Sequence, residues 1–530
     1  MWRKPGNIYA HLFDYQPIAI IFDIQPTNIS MKVNYYTIVL AALFGLGIAD
    51  HSYGQSAKKQ PNIVFILADD LGYGDVKKFN PTAQTSTPNI DRLATQGMMF
   101  TNAHSASSVC TPSRYGILTG RYAFRTSMKK GVLGGYSPAL VEPDRFTIAT
   151  LLKNANYQTA IIGKWHLGMD WKPIDPSKKA IQQNGPDGAD LSNVDLNSPV
   201  VNGPNNHGFD YSYVLPASLD MTPYLYLENG KPDDLPLVPE QDVRTSRGVF
   251  WRGGFKAKNF KIENTLDHWV DKARGYITKA SKEKDHPFFL YLTLTAPHTP
   301  WLPAEKFKGT SGAGIYGDFV AHTDDAVGRV LRVLDSLKLT ENTIVIFSSD
   351  NGADWKKADL AEFPKHQSNY VFRGEKSDIW EGGHHIPFII SWPGSIAGNR
   401  SSNTTFCLAD MMATLADITH QQLPKGAGPD SYDFWPLMSQ NKPVVRPSII
   451  HHSNDGMFAI RKGKWKFIDG MGSGGWSAKD PQDNAPGQLY NMEQDERETT
   501  NLYNKYPDVV KELKDLLELQ KAQGYSVGGL

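Results

Sequence analysis

Four stretches of this chain run without interruption through apolar residues and then stop in a polar cluster: "PNIVFILADD" (61–70), "YQTAIIGKWHLG" (157–168), "PFFLYLTLTAPHTP" (287–300) and "TIVIFSSDNG" (343–352). A strand with one wet face alternates apolar and polar side chains, so continuous runs must be covered on both faces, as in a largely parallel sheet between helical layers. Segments of helical period fall between them: "TPNIDRLATQG" (87–97), "RFTIATLLKNA" (145–155), "NTLDHWVDKARGYITKA" (264–280) and "YGDFVAHTDDAVGRVLRVLDSL" (316–337). Strands and helices alternating in this way predict a doubly wound α/β domain over 56–420, with its ligands beyond the carboxyl ends of the strands.

Beyond about residue 400 the texture changes. A helix, "LADMMATLADI" (408–418), precedes a Pro/Gly-rich stretch and the short strand-like pieces "PSIIHHS" (447–453), "MFAIRKGKWKFI" (457–468) and "QLYNM" (488–492). The run "DVVKELKDLLELQKAQG" (508–524) closes the chain. This predicts a smaller C-terminal antiparallel-sheet subdomain over 421–530 with a terminal helix packed on it. Residues 172–206, rich in Pro, Asn, Asp and Gly, read as a long surface insertion.

Charge excludes some partners. Lysine plus arginine equals aspartate plus glutamate, 55 each in 530 residues, so there is no basic footprint for nucleic acid. From Met31 a lysine, an apolar run to about Ile48 and small residues near Gly54 form a secretory signal pattern over 31–55, too short for a membrane span. The expectation is an exported protein, periplasmic or secreted, without a membrane anchor, and residues 1–30 read as an upstream extension from a misassigned start. With only Cys110 and Cys407 present, no disulfide framework is expected. Cys407 in "FCLADMMATLADI" reads as a buried core thiol on a helical pattern.

The strand ends hold the chemistry. Asp69 and Asp70 end the first run, and Asp350 and Asn351 end the fourth. Singly, "ADD" or "DNG" is a turn or a helix cap. Two such sets at one sheet edge suit a hard divalent cation, because the clustered oxygens repel one another unless neutralised. Cys110 sits in "SASSVCTPSRYGILTGRY" (105–122). Thr111 can cap a helix, Pro112 suits its first turn, and Arg114 shares the face of Cys110, together making an anion site. A thiolate nucleophile is one reading, although soft sulfur matches hard oxygen ligands poorly.

The segment "CTPSR" (110–114), continued by "YGILTGR", resembles the signature of the type I, formylglycine-dependent sulfatases, with further motifs in order over roughly 60–500. The resemblance implies an alkaline-phosphatase-like α/β fold, conversion of Cys110 to formylglycine (3-oxoalanine) by a maturation enzyme, and hydrolysis of sulfate esters. It implies a metal, Ca2+ with Mg2+ as the alternative, held by Asp69, Asp70, Asp350, Asn351 and the modified Cys110. Arg114, Lys164 of "GKWHLG" and Lys376 of "RGEKSDIWEGG" would hold the sulfate oxygens. His298 of "APHTP", assisted by Lys376, would protonate the leaving alkoxide. His166 would take the proton that lets sulfate depart and restores the aldehyde.

A histidine beside a tryptophan, or a lysine at a strand end, is in general a packing or solvated residue; it is the signature context that favours function at these positions. His207, Arg252, Trp301, Trp355, His384 with His385, and Trp476 in the flexible "GSGGW" are the further candidates for lining a substrate cleft, with structural duty as the competing reading. The leading reading is an exported sulfatase acting on a sulfated polysaccharide or oligosaccharide. A phosphonate or phosphate ester hydrolase of the same superfamily and an inactive glycan-binding relative are the alternatives.

Overall fold

A computed structural model describes residues 59–183, 189–478 and 484–527; the expected signal segment at 31–55 and the extension before it lie outside the described residues. The apolar runs form the middle of a ten-stranded sheet. Its central strands are β1 (Asn62–Asp69), β2 (Gln158–Lys164), β3 (Tyr211–Leu215), β4 (Phe288–Pro297), β5 (Thr343–Ser349) and β6 (Phe388–Ser391). β1 lies between β4 and β5, parallel to both, with Ile63 opposite Phe289 on one side and Ile344 on the other. β4 continues in parallel to β2, and β2 to β3. β6 pairs with β5 antiparallel. Every residue of β4 and β5 is buried, which is why their sequences show no alternation.

The expected helices are α1 (Pro88–Gln96), α2 (Cys110–Thr119), α3 (Ile148–Asn154), α4 (Thr265–Ala280), α5 (Gly314–Ser336), α6 (Met411–Ile418) and α7 (Pro507–Gln523). α4 and α5 pack on each other and on β4, and the faces they bury, Leu266, Trp269, Val270, Ala273 and Ile277 on α4, follow the helical period. Cys407 is buried as expected, but on the two-residue strand Phe406–Cys407, just before the helical turns begin at Leu408.

A four-stranded antiparallel sheet follows: β7 (Ile449–His452), β8 (Phe458–Lys462), β9 (Trp465–Ile468) and β10 (Gln488–Asn491), in that spatial order. Val510, Leu513 and Leu517 of α7 join Ile450, Ile460, Phe467 and Leu489 in one apolar cluster. This sheet reaches the main domain through β7: the Ser107 hydroxyl and the Ser108 N–H both donate to the His452 carbonyl, at 2.7 and 3.1 Å. The mainly parallel sheet with flanking helices and the small C-terminal antiparallel sheet are therefore the architecture read from the sequence.

One glycine is required where β2 ends. Gly163 has φ of 123°, and a Cβ there would lie 1.8 Å from the Thr293 carbonyl oxygen of β4. No side chain fits that approach, so the strand that delivers Lys164 needs glycine before it.

Candidate active site

Four strand ends converge on one place. β1 delivers Asp69 and Asp70, β2 delivers Lys164 with His166 just beyond it, β4 leads to His298, and β5 to Asp350 and Asn351. Lys376 comes from the segment before β6. α2 brings Cys110 on its first turn and Arg114 on its second, and all ten of its residues are buried. Thr111 is not the cap: the helix starts at Cys110 after an extended Val109, and the Thr111 hydroxyl instead accepts from the Leu133 N–H at 3.1 Å. α2 ends in Gly120 at φ of 60°, the left-handed conformation that glycine tolerates best.

The side chains interlock. Lys164 Nζ meets Asp69 Oδ1 and Oδ2 at 2.9 and 2.7 Å. Arg114 donates from Nε to Asp350 Oδ2 at 2.8 Å, approaches Asp69 Oδ1 at 3.5 Å, and holds the Lys164 carbonyl at 3.1 Å. Lys376 Nζ donates to Asp70 Oδ2 at 2.8 Å. Cys110 Sγ lies 3.7 Å from Asp69 Oδ1, and His298 Nε2 lies 3.7 Å from Asp70 Oδ2. The Asn351 amide donates to Asp70 Oδ1 at 2.7 Å, while its own Oδ1 is buried without a hydrogen-bond partner among the described residues. Three carboxylates thus face three fixed cations at nearly complete burial, where each interaction is stronger than at a surface.

Burial and charge divide the protons unevenly. Burial alone would raise the Asp69 carboxyl, but Lys164, His298, Arg114 and Lys376 outweigh it and hold it well below the usual carboxylate range. Burial and the neighbouring Asp69 push Asp350 up to about 6. Burial pushes the Cys110 thiol up to about 12, so an unmodified thiol stays protonated and is a poor nucleophile near neutrality. Burial first, and then Lys164, holds His166 well below the ordinary imidazole value, leaving it neutral.

Hydrogen bonds fix which nitrogen of each histidine is free. His166 Nε2 lies 2.7 Å from the Leu133 carbonyl oxygen, which can only accept. Its Nδ1 therefore carries the lone pair, with the Ser218 hydroxyl at 3.5 Å. His298 Nδ1 lies 2.6 Å from the Thr299 carbonyl oxygen by the same logic, leaving Nε2 toward the cavity. Asp70 (φ 62°) and His166 (φ 56°) both sit in left-handed backbone conformations, a strain that persists only where surrounding contacts enforce it.

A cavity of about 640 Å³ opens over this cluster, and Asp70, Cys110, His166, His298 and Lys376 line it. Arg252 and Trp476 line it too. Trp355 instead lines a neighbouring cavity. The structure places His207, Trp301 and His384 elsewhere. His207 is buried against the Trp165 ring at a centroid distance of 6.5 Å. Trp301 is buried under the Arg247 guanidinium, 4.6 Å from its ring, and edge-on to Tyr316.

His384 stacks on His451 at 3.6 Å, with Nδ1 3.1 Å from His104 Nδ1 and with Lys466 3.1 Å from Nε2. His385 pairs with Glu381 at 2.9 Å. This is a hydrogen-bonded core cluster between the two sheets. The residues that sequence reasoning missed are Ser218, Asp220 and the turn carrying Arg244, Arg247 and Phe250, which complete the cavity wall. No local motif marks them; only the "FWRGG" at Arg252 hinted at that segment.

The sequence profile of the family described as Sulfatase matches residues 61–421. An N-acetylgalactosamine-6-O-sulfatase of Bacteroides thetaiotaomicron is 34% identical over 509 residues, covering 89% of this chain and 94% of that protein. Arylsulfatase A of Homo sapiens is 31% identical, covering 92% of this chain and 91% of its own. A solved structure described under the metabolism of multiple glycosaminoglycans by Bacteroides thetaiotaomicron superposes with a TM-score of 0.75 at 32% identity, covering 88% of this chain and all of that one. With an oxygen-rich acidic cluster, three buried cations and a cysteine at the head of α2, the chain belongs to the sulfatase family and is a sulfuric ester hydrolase.

Proposed function

We propose that this protein hydrolyses sulfate esters of a sulfated carbohydrate, using an aldehyde made from Cys110. The observation that carries the reading is the approach of Cys110 Sγ to within 3.7 Å of Asp69, inside a ring of three cations and two histidines. Relatives described as N-acetylgalactosamine-6-sulfatases make a 6-sulfated amino sugar the first substrate to try. Oxidation of Cys110 to formylglycine requires a maturation enzyme, and export through the segment at 31–55 would bring the mature protein to polymeric glycans.

A divalent ion fits the donor set. Asp69, Asp70 and Asp350 supply carboxylate oxygens, and the Asn351 Oδ1 without a hydrogen-bond partner is a fourth hard donor. When bound, calcium or magnesium would add positive charge for the sulfate oxygens and for the hydrated aldehyde at position 110. The chain's own residues do the rest. Arg114, Lys164 and Lys376 fix the orientation of the sulfate and offset charge that grows on its oxygens during displacement. His298, with Nδ1–H committed to the Thr299 carbonyl, presents Nε2 to the leaving oxygen and, as the imidazolium with a second proton on Nε2, donates that proton to it. His166, kept neutral and with its Nδ1 lone pair free, accepts a proton from the second hydroxyl of the hydrated aldehyde.

Leaving-group chemistry tests this assignment. His298→Ala lowers kcat/KM for a sugar sulfate by about a thousandfold, because an alkoxide needs a proton as it leaves. For 4-nitrophenyl sulfate, whose phenolate leaves unaided, the loss is about tenfold. Equal losses on both substrates contradict the role. Release of sulfate from 6-sulfated N-acetylgalactosamine by the matured enzyme, measured by ion chromatography, tests the substrate class.

A further inference from the structure

A second cavity, of about 450 Å³, opens beside the first, and the two share Lys356 and Trp476. Trp476 is 49% exposed, yet its loop is pinned. The Trp476 N–H donates to Ser377 Oγ at 2.8 Å, and the Ser477 N–H to Asp378 Oδ1 at 3.1 Å. The Ile379 N–H holds the Ser473 carbonyl at 2.7 Å. Gly475 lies so close to Ser377 that a Cβ would sit 2.4 Å from the Ser377 carbonyl oxygen. The indole is therefore held against the segment that carries Lys376, whose Nζ is 5.7 Å from the ring centroid. An exposed indole fixed by its backbone is preorganised for stacking, since little freedom is left to lose on binding.

The second cavity is cationic. Lys356, Lys357 and Arg497 bring exposed charged side chains to it, and Trp355 forms part of its wall. Its one acid among the lining residues, Glu375, is buried, with Oε2 lacking a hydrogen-bond partner among the described residues. Burial, then Asp354 and Asp378, push that carboxyl up to about 8, so near neutrality it carries a proton it can donate to a hydroxyl. A positive, partly aromatic cavity with a spare donor, joined to the catalytic one across an indole, has the composition of a site for an anionic sugar.

We propose that the second cavity binds the neighbouring sugar of an anionic oligosaccharide whose reacting sulfate lies in the first. Trp476 stacks at the junction, and Lys357 with Arg497 faces a sulfate or carboxylate on that neighbour. This rests on the sulfatase reading of the first cavity and goes beyond it: the substrate is an oligosaccharide charged on adjacent sugars.

The test is competition against 4-nitrophenyl sulfate hydrolysis by the matured full-length enzyme. The competitors are 6-sulfated N-acetylgalactosamine and tetrasaccharides cut from chondroitin 6-sulfate. The tetrasaccharide competes at about a tenfold lower concentration than the monosaccharide, the scale of one or two additional charge contacts. In Lys357→Glu/Arg497→Glu that advantage disappears, and Trp476→Ala diminishes it. Both charged positions are exposed, so the double variant keeps its fold, which thermal melting verifies. Equal competition by the two sugars in the unmodified sequence, or an advantage that survives the double charge reversal, overturns the proposal. A matured enzyme that releases sulfate from neither 4-nitrophenyl sulfate nor the sulfated sugars overturns the sulfatase reading instead.

Discussion

Cys110→Ala abolishes sulfate-ester turnover, with a loss of about ten-thousandfold or more, the scale seen when a covalent nucleophile is removed. The fold survives. Cys110 lies on the first turn of α2 with its sulfur toward Asp69, and the change removes one sulfur atom, costing about 1 kcal/mol or less when the site is polar and reaches a cavity. Circular dichroism and thermal melting therefore match the parent while sulfate release falls to background. Residual turnover within about tenfold of the parent would mean that another group attacks sulfur.

Arg114→Ala is expected to damage both stability and activity. The guanidinium is buried at 2% exposure and holds Asp350 while approaching Asp69. Deleting it leaves two buried carboxylates with a cation missing, a defect that costs about 3–5 kcal/mol. Loss of one preorganised charge at the sulfate lowers kcat by about a hundred- to a thousandfold. Arg114→Lys restores the charge but not the paired contact with Asp350 and the Lys164 carbonyl, so it recovers part of each loss. Denaturant unfolding together with steady-state kinetics checks both; a stability change below about 1 kcal/mol contradicts the charge account.

The sheet was legible because burial on both faces writes itself into consecutive residues. "PNIVFILADD" and "TIVIFSSDNG" announce both a covered strand and its polar end, and a parallel sheet brings such ends together at one edge. The residues at those ends could therefore be grouped without coordinates. The cap was misread because Thr111 has the right chemistry for it, while the helix starts one residue earlier and spends that hydroxyl on Leu133.

The cavity wall was not legible. Ser218, Asp220, Arg244, Arg247 and Phe250 meet Cys110 only through the tertiary fold, and no short-range pattern encodes a contact across more than a hundred residues. Aromatic and histidine residues were ambiguous for a related reason. Trp301 and Trp476 look alike in sequence, but one is sealed beneath Arg247 and the other stands half exposed between two cavities. His384, next to "EGG", was drawn into a core cluster with His104 and His451, partners that lie far away in the chain. The left-handed backbones of Asp70 and His166 left no trace either: both residue types enter that conformation more readily than most, but too rarely for their identity alone to mark it.

Turnover depends on the chemical state of position 110. Mass spectrometry of the peptide spanning 105–122, taken from enzyme that is releasing sulfate, measures it directly. The expected peptide is lighter than the encoded sequence by the difference between a thiol-bearing methylene and an aldehyde, and reactive toward hydrazides. A fully active preparation whose peptide retains the intact thiol would contradict that dependence.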